Sequence, residues 1–429
     1  MDTHCTTPSR LQASAWMLAV GALFLLIYGG TNQYSAGLTN LPSLYLPWER
    51  HIPFLPWSVV PYWSLDLLFV VSFYGLRSRT ELQRHSARIL FALGTSAVLF
   101  LLIPLQFAFE RPPTEGLPGL LFAALSMDLP YNQLPSLHIS LALIYWPVIR
   151  RMTPARLRTP AAVWFLLIGL STLTTYQHHA IDLLGGLIVG ALSLHLFPLK
   201  PADRRPVTPR MRRIGGIYGA ASLLCLGTAI SMQGHALWLL LPFTSLALVS
   251  GAYLAGRVNY LHKTAGSHCG VVWLLFGPFL IGQAINAWWH GRKHRPRIAE
   301  VMPGMYFGPR LSDAQARRLI ADQQIGAVLD LSAELPECQP FTHGGQLDYR
   351  HLPMMDLVPP TAAQLRDAAA WVRSRHAPVY VHCSLGLGRS AEVARALLID
   401  DGIDADQARS RILALQPDAV LATNTKEHG

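Results

Sequence analysis

The sequence is short of charge. Asp, Glu, Lys and Arg make up 14% of its 429 residues, against about 25% in soluble globular chains. That excludes a chain that is soluble throughout and predicts membrane spans, as does the mean hydropathy of +0.29. Acidic residues are scarcest up to Arg297, where 9 Asp/Glu face 23 Lys/Arg; from Ile298 onward 16 face 12. The basic balance therefore belongs to the apolar part and fits cytoplasmic loops and anionic lipid headgroups. A nucleic-acid-binding protein would carry its basic patch on the soluble part, so no nucleic-acid partner is expected. Cysteine is scarce too. Cys5, Cys225, Cys269, Cys338 and Cys383 form no CxxC pair and no disulfide framework. No metal cluster with ligand spacing appears, and the chemistry below requires neither metal nor cofactor.

What is present are long apolar runs. A span needs about 20 residues, and runs near 13–30, 59–76, 89–109, 138–149, 161–177, 181–197, 214–231 and 236–255 read as spans. The first lacks a convincing cleavage site and is kept as a span. A ninth run, 270–289, carries Gly277-Pro278 near its middle. Basic loops at 77–88, 150–158 and 198–213 predict the cytoplasmic side, with the N-terminus inside. The loops 31–58 and 110–137 hold only Arg50 and Arg111 and should face outward. Arg257 and Lys263 precede the ninth run, and Arg292, Lys293, Arg295 and Arg297 follow it. It therefore reads as a re-entrant or interfacial segment, broken at Gly277-Pro278 and anchored by Trp288 and Trp289, which leaves the tail cytoplasmic. The expected organisation is a six-span membrane domain over 1–200, further spans and a basic linker over 201–297, and a soluble domain over 298–429.

From Ile298 strand-like and helix-like patterns alternate, predicting a small α/β domain with a mostly parallel sheet. Ala327 to Leu331 and Val379 to Val381 read as strands; Ser312 and Thr361 read as helix caps. The strongest signal is His382-Cys383-Ser384-Leu385-Gly386-Leu387-Gly388-Arg389-Ser390. A cysteine and an arginine flank a five-residue loop between a strand and a helix. Amides of Ser384, Leu385, Gly386, Leu387 and Gly388 would cradle a phosphate at the helix N-terminus. The two glycines are expected to supply positive φ or close backbone approach. The same field lowers the thiol pKa, making Cys383 the nucleophile. Arg389 would bind two phosphoryl oxygens, and Ser390 would assist departure of sulfur. Asp356, among Pro353, Pro359 and Pro360, is the candidate general acid, while Cys338 reads as a bystander.

This loop resembles the signature of dual-specificity and tyrosine phosphatases, and Met305 to Gly308 and Ile325 to Leu331 look like that family's opening strands. The resemblance covers about 298–420. It implies Cys383 as nucleophile, Arg389 as phosphate ligand and Asp356 as acid. Leu385 and Leu387 stand where phosphoinositide-specific relatives tend to carry basic residues, which weighs against a polyphosphoinositide substrate.

A second constellation falls at the predicted outer ends of spans: Arg111-Pro112, Pro135-Ser136-Leu137-His138, and Ser171 through Asp182. Two histidines and a carboxylate can divide phosphoryl transfer between nucleophile, orienter and acid. The i, i+4 spacing to Asp182, read as one helix face, favours His178 over His179 as nucleophile. The set resembles the type 2 phosphatidic acid phosphatase (PAP2) superfamily, which implies catalytic His138, His178 and Asp182 with Arg111 and Ser136 at the phosphate. Two family cations are replaced, by Pro104 and Thr172, as in the headgroup-transferring branch. The whole chain resembles bacterial inner-membrane fusions of the two families. Three readings follow: a cysteine phosphatase acting on phospholipid or membrane-proximal phosphoprotein, a membrane domain that is itself the main phosphatase or headgroup transferase, and a lipid-sensing membrane domain controlling the tail.

Overall fold

The computed structural model describes residues 7–125, 128–199, 203–232, 238–294, 297–343 and 347–422; Cys5, Lys200 and Arg295 fall outside them. The chain divides into two compact units, Met1–Pro201 and Ala202–Gly429.

The first unit is helical: α1 Arg10–Ala36, α2 Val59–Tyr74, α3 Arg79–Leu102, α4 Gly116–Leu125, α5 Leu137–Met152, α6 Arg158–Thr174 and α7 Ala180–Leu196. Ser9 and Ser78 start α1 and α3 by accepting the N–H groups of Gln12 and Glu81. The core lies between α2, α3 and α5, with Phe73, Ile89, Leu93, Ile144 and Tyr145 at 1% exposure or less. Close approach of α5 and α7 depends on glycine. A Cβ on Gly186 would stand 2.4 Å from the Ser136 carbonyl oxygen, and the Ser140 hydroxyl donates to the Gly186 carbonyl at 2.9 Å. This is the small-residue packing of membrane helices.

The second unit opens with α8 Pro209–Met232, α9 Leu240–Leu254 and α10 Gly270–His294. The α/β part follows: β1 Ala299–Met302, β2 Met305–Pro309, α11 Asp313–Gln323, β3 Ala327–Ser332, α12 Gln339–Thr342, β4 Asp348–Met354, α13 Ala362–Arg373, β5 Val379–Cys383, α14 Arg389–Asp400 and α15 Ala405–Leu415. Ser312 and Thr361 each form a capping box with a glutamine three residues on. The sheet runs β1-β2-β5-β3-β4, antiparallel only between β1 and β2. The expected α/β domain is present. Central β5 delivers Cys383 at its C-terminal end, the usual place for a site in such a sheet.

Two expectations about the apolar runs change. Among the described residues, six helices are long and apolar enough to cross a membrane; they include α10 but not α5, α7 or α9. Helices α5, α7 and α9 have 16, 17 and 15 residues, or about 23–26 Å against a hydrocarbon core of about 30 Å. The break expected at Gly277-Pro278 is absent: α10 continues through Pro278. Pro278 has no N–H to give, and the N–H of Phe279 donates to the Ser245 hydroxyl of α9 at 3.3 Å.

Helix α10 lies along the α/β part rather than leading away from it. Just before it, the His268 ring meets the Ala333 carbonyl at 2.9 Å, and the Gly266 carbonyl accepts the Glu337 N–H at 2.7 Å. Just after it, the Arg297 N–H donates to the Gln416 side chain at 3.4 Å.

Candidate phosphate sites

Strand β5 and helix α14 hold Cys383 and Arg389 at 5% exposure or less, and between them the loop curls over the sulfur. Gly386 has φ of +74°, and a Cβ there would lie 2.5 Å from Gly308 and Pro309 backbone atoms, so the loop requires glycine here. Gly388 differs from expectation: its φ is −121°, and a Cβ would meet only the Val420 carbonyl at 4.0 Å. The Gly386 N–H donates to Cys383 Sγ at 3.3 Å, and the Ser390 hydroxyl lies 3.4 Å from it. Burial pushes the thiol pKa up; the Arg389 charge and the hydrogen bonds from Ser390 and Gly386 outweigh it and hold the thiol below its usual range.

Arg389 is gripped on several sides. Its guanidinium donates to the Met354 carbonyl at 3.0 Å, to Glu334 Oε2 at 2.9 Å and to the Ser384 hydroxyl at 3.2 Å. Its second Nη also pairs with Glu334 Oε1 and stands 3.1 Å from Asp356 Oδ1. Glu334 was not singled out from sequence. It follows β3, is buried, and also accepts from the Ser384 hydroxyl. Burial works to protonate it, but Arg389 outweighs this and keeps its pKa below the usual range. Its one signal was an acid set between Ala333 and Leu335 beside a wholly buried strand.

Asp356 has its pKa raised, chiefly by burial and further by Glu334, against the pull of Arg389. The backbone around it is held by α9 and by the segment that precedes α8. The Tyr253 hydroxyl of α9 donates to the Asp356 carbonyl at 2.8 Å, and Arg205 donates to the Pro359 carbonyl at 3.0 Å. The next residue, Leu357, is exposed with φ of +59°, a costly conformation for a branched side chain that needs such anchoring.

Behind the loop lies a buried charge cluster. His382 stands opposite Asp330 in the β3–β5 register, and its Nε2 is 2.9 Å from Glu337 Oε2. Burial would lower the His382 pKa, but Glu337 and Asp330 raise it overall. Asp330, Glu337 and His382 offer donor atoms within 4.8 Å of one another, a grouping no local spacing announced. A cation is already supplied: Lys263, from the loop between α9 and α10, places Nζ 2.5 Å from Asp330 Oδ2 and 2.9 Å from the Ser332 carbonyl. The Tyr349 hydroxyl also donates to Asp330 at 2.7 Å. Cys338 is buried, and burial followed by Glu337 pushes its thiol well up, as befits a bystander.

In the first unit His178 and Asp182 are buried with Nδ1 and Oδ2 3.6 Å apart. They do not share a helix face: α7 begins at Ala180 with His179 as its cap, so His178 precedes the helix. The reason is the cap, in which Asp182 accepts the His179 N–H at 2.8 Å. The His179 ring is used up structurally. It stacks on Phe107 at 4.2 Å, contacts Glu49 at 2.9 Å and accepts the Ala108 N–H at 3.2 Å. His138 stacks on Tyr62 at 4.1 Å, and its Nε2 has no hydrogen-bond partner among the described residues. His178 is near enough to interact electrostatically with His138 and Asp128, and Arg111 with Asp128. Arg111 donates to the Thr175 carbonyl at 3.2 Å. The Ser136 hydroxyl caps α5, so it is already engaged. Asp128, held by Tyr28 and Asn32, and Glu49 were both missed from sequence.

Residues 306–403 match the family described as "Polymorphic toxin system, DSP-PTPase phosphatase". Residues 120–196 match the PAP2 superfamily. The chain joins a PAP2-like domain to a dual-specificity-type phosphatase domain. It is a two-domain phosphatase, a phosphoric monoester hydrolase, and its apolar helices mark it as a membrane protein. Among solved structures it is similar to Tk-PTP in the active form, at 25% identity over 30% of this chain and 90% of that one, with a TM-score of 0.28. PTPMT1 in complex with PI(5)P matches at 19% identity over 30% and 88%, with a TM-score of 0.28. Human DUSP28 matches at 19% identity over 30% and 86%, with a TM-score of 0.25. Among curated proteins nothing matches.

Proposed function

We propose that the tail is a cysteine phosphatase that hydrolyses lipid phosphomonoesters at the bilayer surface. The observation that carries this is the Cys383 sulfur under the Gly386 N–H, 3.4 Å from the Ser390 hydroxyl, beside a guanidinium that also touches Asp356. The substrate's phosphate takes the loop amides and the fork of Arg389, releasing Asp356. The Cys383 thiolate attacks phosphorus, and protonated Asp356 gives its proton to the departing oxygen. The Asp356 carboxylate then takes a proton from the water that cleaves phosphocysteine, and Ser390 donates to the leaving sulfur. Glu334 keeps Arg389 aimed. No metal, cofactor or nucleic acid enters this scheme.

A lipid is favoured over a phosphoprotein because apolar helices of the same unit hold the acid loop. The basic segments around Arg205 and Lys263 touch the α/β part and read as cytoplasmic. Both ends of α10 meet that part, which supports an interfacial α10 and a cytoplasmic tail at a bacterial inner membrane. The test uses full-length protein in mixed micelles with an aryl phosphate, a lipid phosphomonoester and a phosphopeptide. Cys383→Ser should abolish hydrolysis of the first two, by on the order of 10⁴ or more. Retained activity refutes the cysteine mechanism, and preference for the phosphopeptide refutes the lipid assignment.

A second reading makes the histidine set the main lipid phosphatase or headgroup transferase. The unpartnered Nε2 of His138, near His178, favours it. The lipid-sensing alternative draws on Pro104 and Thr172 in place of cations.

A further inference from the structure

We propose that α8 and α10 build the leaving-group subsite of the cysteine pocket, and that this subsite takes the hydroxylated headgroup of a lipid carrying a single phosphate. The inference rests on the phosphatase reading of Cys383 and adds the substrate class.

The pocket encloses about 480 Å³, within the range of small-ligand sites and larger than a phosphate alone requires. Cys383 and Arg389 line one side; Arg210 of α8 and Gln283, Asn286 and His290 of α10 line another. These α10 residues recur at i, i+3 and i+7, on one face of the helix. On the opposite face Ile281, Ile285, Trp288 and Trp289 are 54–62% exposed. A helix with a polar face toward a catalytic pocket and a largely exposed apolar face has the form of an interfacial helix. Arg292 lies 4.2 Å over the Trp288 ring, and with Lys293 it adds charge suited to anionic lipid headgroups.

The chemistry of the wall selects the headgroup. Gln283 and Asn286 each offer a donor and an acceptor, the pairing that a hydroxyl requires. Outside the catalytic loop the lining brings one guanidinium, Arg210, while the nearby Glu392 carboxylate is already paired with Arg395 at 2.8 Å. One guanidinium is a thin clamp for a second phosphate, so a singly phosphorylated polyol fits and a polyphosphorylated one does not.

The test compares full-length wild type with Gln283→Leu/Asn286→Leu on four probes. These are an aryl phosphate, a diacyl lipid with a glycerol phosphate headgroup in mixed micelles, phosphatidate in the same micelles, and glycerol 3-phosphate in solution. Wild type should prefer the glycerol phosphate lipid to both phosphatidate and free glycerol 3-phosphate. In the variant the ratio of its kcat/KM to that of the aryl phosphate should fall about tenfold or more. An unchanged ratio, whether both rates fall together or neither does, overturns the subsite. Equal use of phosphatidate overturns the headgroup assignment, and equal use of free glycerol 3-phosphate overturns the lipid assignment. Absence of Cys383-dependent aryl phosphate hydrolysis in wild type would refute the cysteine reading itself, and the subsite with it.

Discussion

The cysteine pocket and the histidine set, the two proposed phosphate sites, treat charge differently. In the cysteine pocket one guanidinium is buried and fixed by Glu334, Met354 and Ser384, and the Gly386 amide donates to the sulfur. The positive field is in place before substrate arrives, which is where most electrostatic catalysis originates. In the histidine set Pro104 and Thr172 stand where the PAP2 resemblance leads one to expect cations, and Arg111 is engaged with a backbone carbonyl. If the proposed roles of His178 and Asp182 hold, the reacting groups persist while the phosphate clamp is thinned.

The largest effect expected from testing this contrast lies at the acid. Asp356→Asn should lower kcat on an alkyl phosphate about 10²–10³-fold. The wild-type pH profile should rise with formation of the Cys383 thiolate, below the usual thiol range, and fall as Asp356 loses its proton, above the usual carboxylate range. The acid acts in its protonated form, so its raised pKa extends activity upward in pH. In Asp356→Asn the falling limb should vanish; a surviving limb would assign the acid elsewhere.

Next is the buried ammonium. Lys263→Met strands Asp330 without its cation, a loss on the order of 3–5 kcal/mol, visible as a lower melting temperature of the full-length protein. Adding Asp330→Asn should recover much of it. An unchanged melting temperature in the single variant would show that Lys263 does not tie its loop to the sheet.

Smallest is the effect of the histidine set on the tail. His178→Ala should change aryl phosphate hydrolysis less than about twofold, as expected of independent sites. If lipid phosphate turnover instead collapses in this variant, the membrane domain is the main enzyme and the order of the two sites reverses.

Much of this was legible in sequence because it is local. The loop from Cys383 to Arg389 lies on one strand–turn–helix, so its composition already states its chemistry. The caps at Ser312 and Thr361 are signals spanning four residues, and the alternation of strands with helices announces a parallel sheet. What escaped was set by contacts distant in sequence. Glu334 reaches Arg389 across 55 positions and Lys263 reaches Asp330 across 67, and no spacing rule covers such pairs. The break at Gly277-Pro278 was misjudged because proline's missing N–H is tolerated beside a hydroxyl from α9. The helix face imagined for His178 was misjudged because the cap at His179 starts α7 two residues later.

By itself the sequence determined that the chain has an apolar helical part and an α/β tail, and that Cys383 and Arg389 bracket a tight loop between a strand and a helix. Periodicity, capping and loop composition act over a few residues and need no partner from elsewhere. Only the tertiary structure decided that Glu334 fixes the arginine, that Lys263 neutralises Asp330, and that α8 and α10 wall the pocket. Those are choices of which buried charge meets which, and a chain makes them only once burial has removed water as the alternative partner.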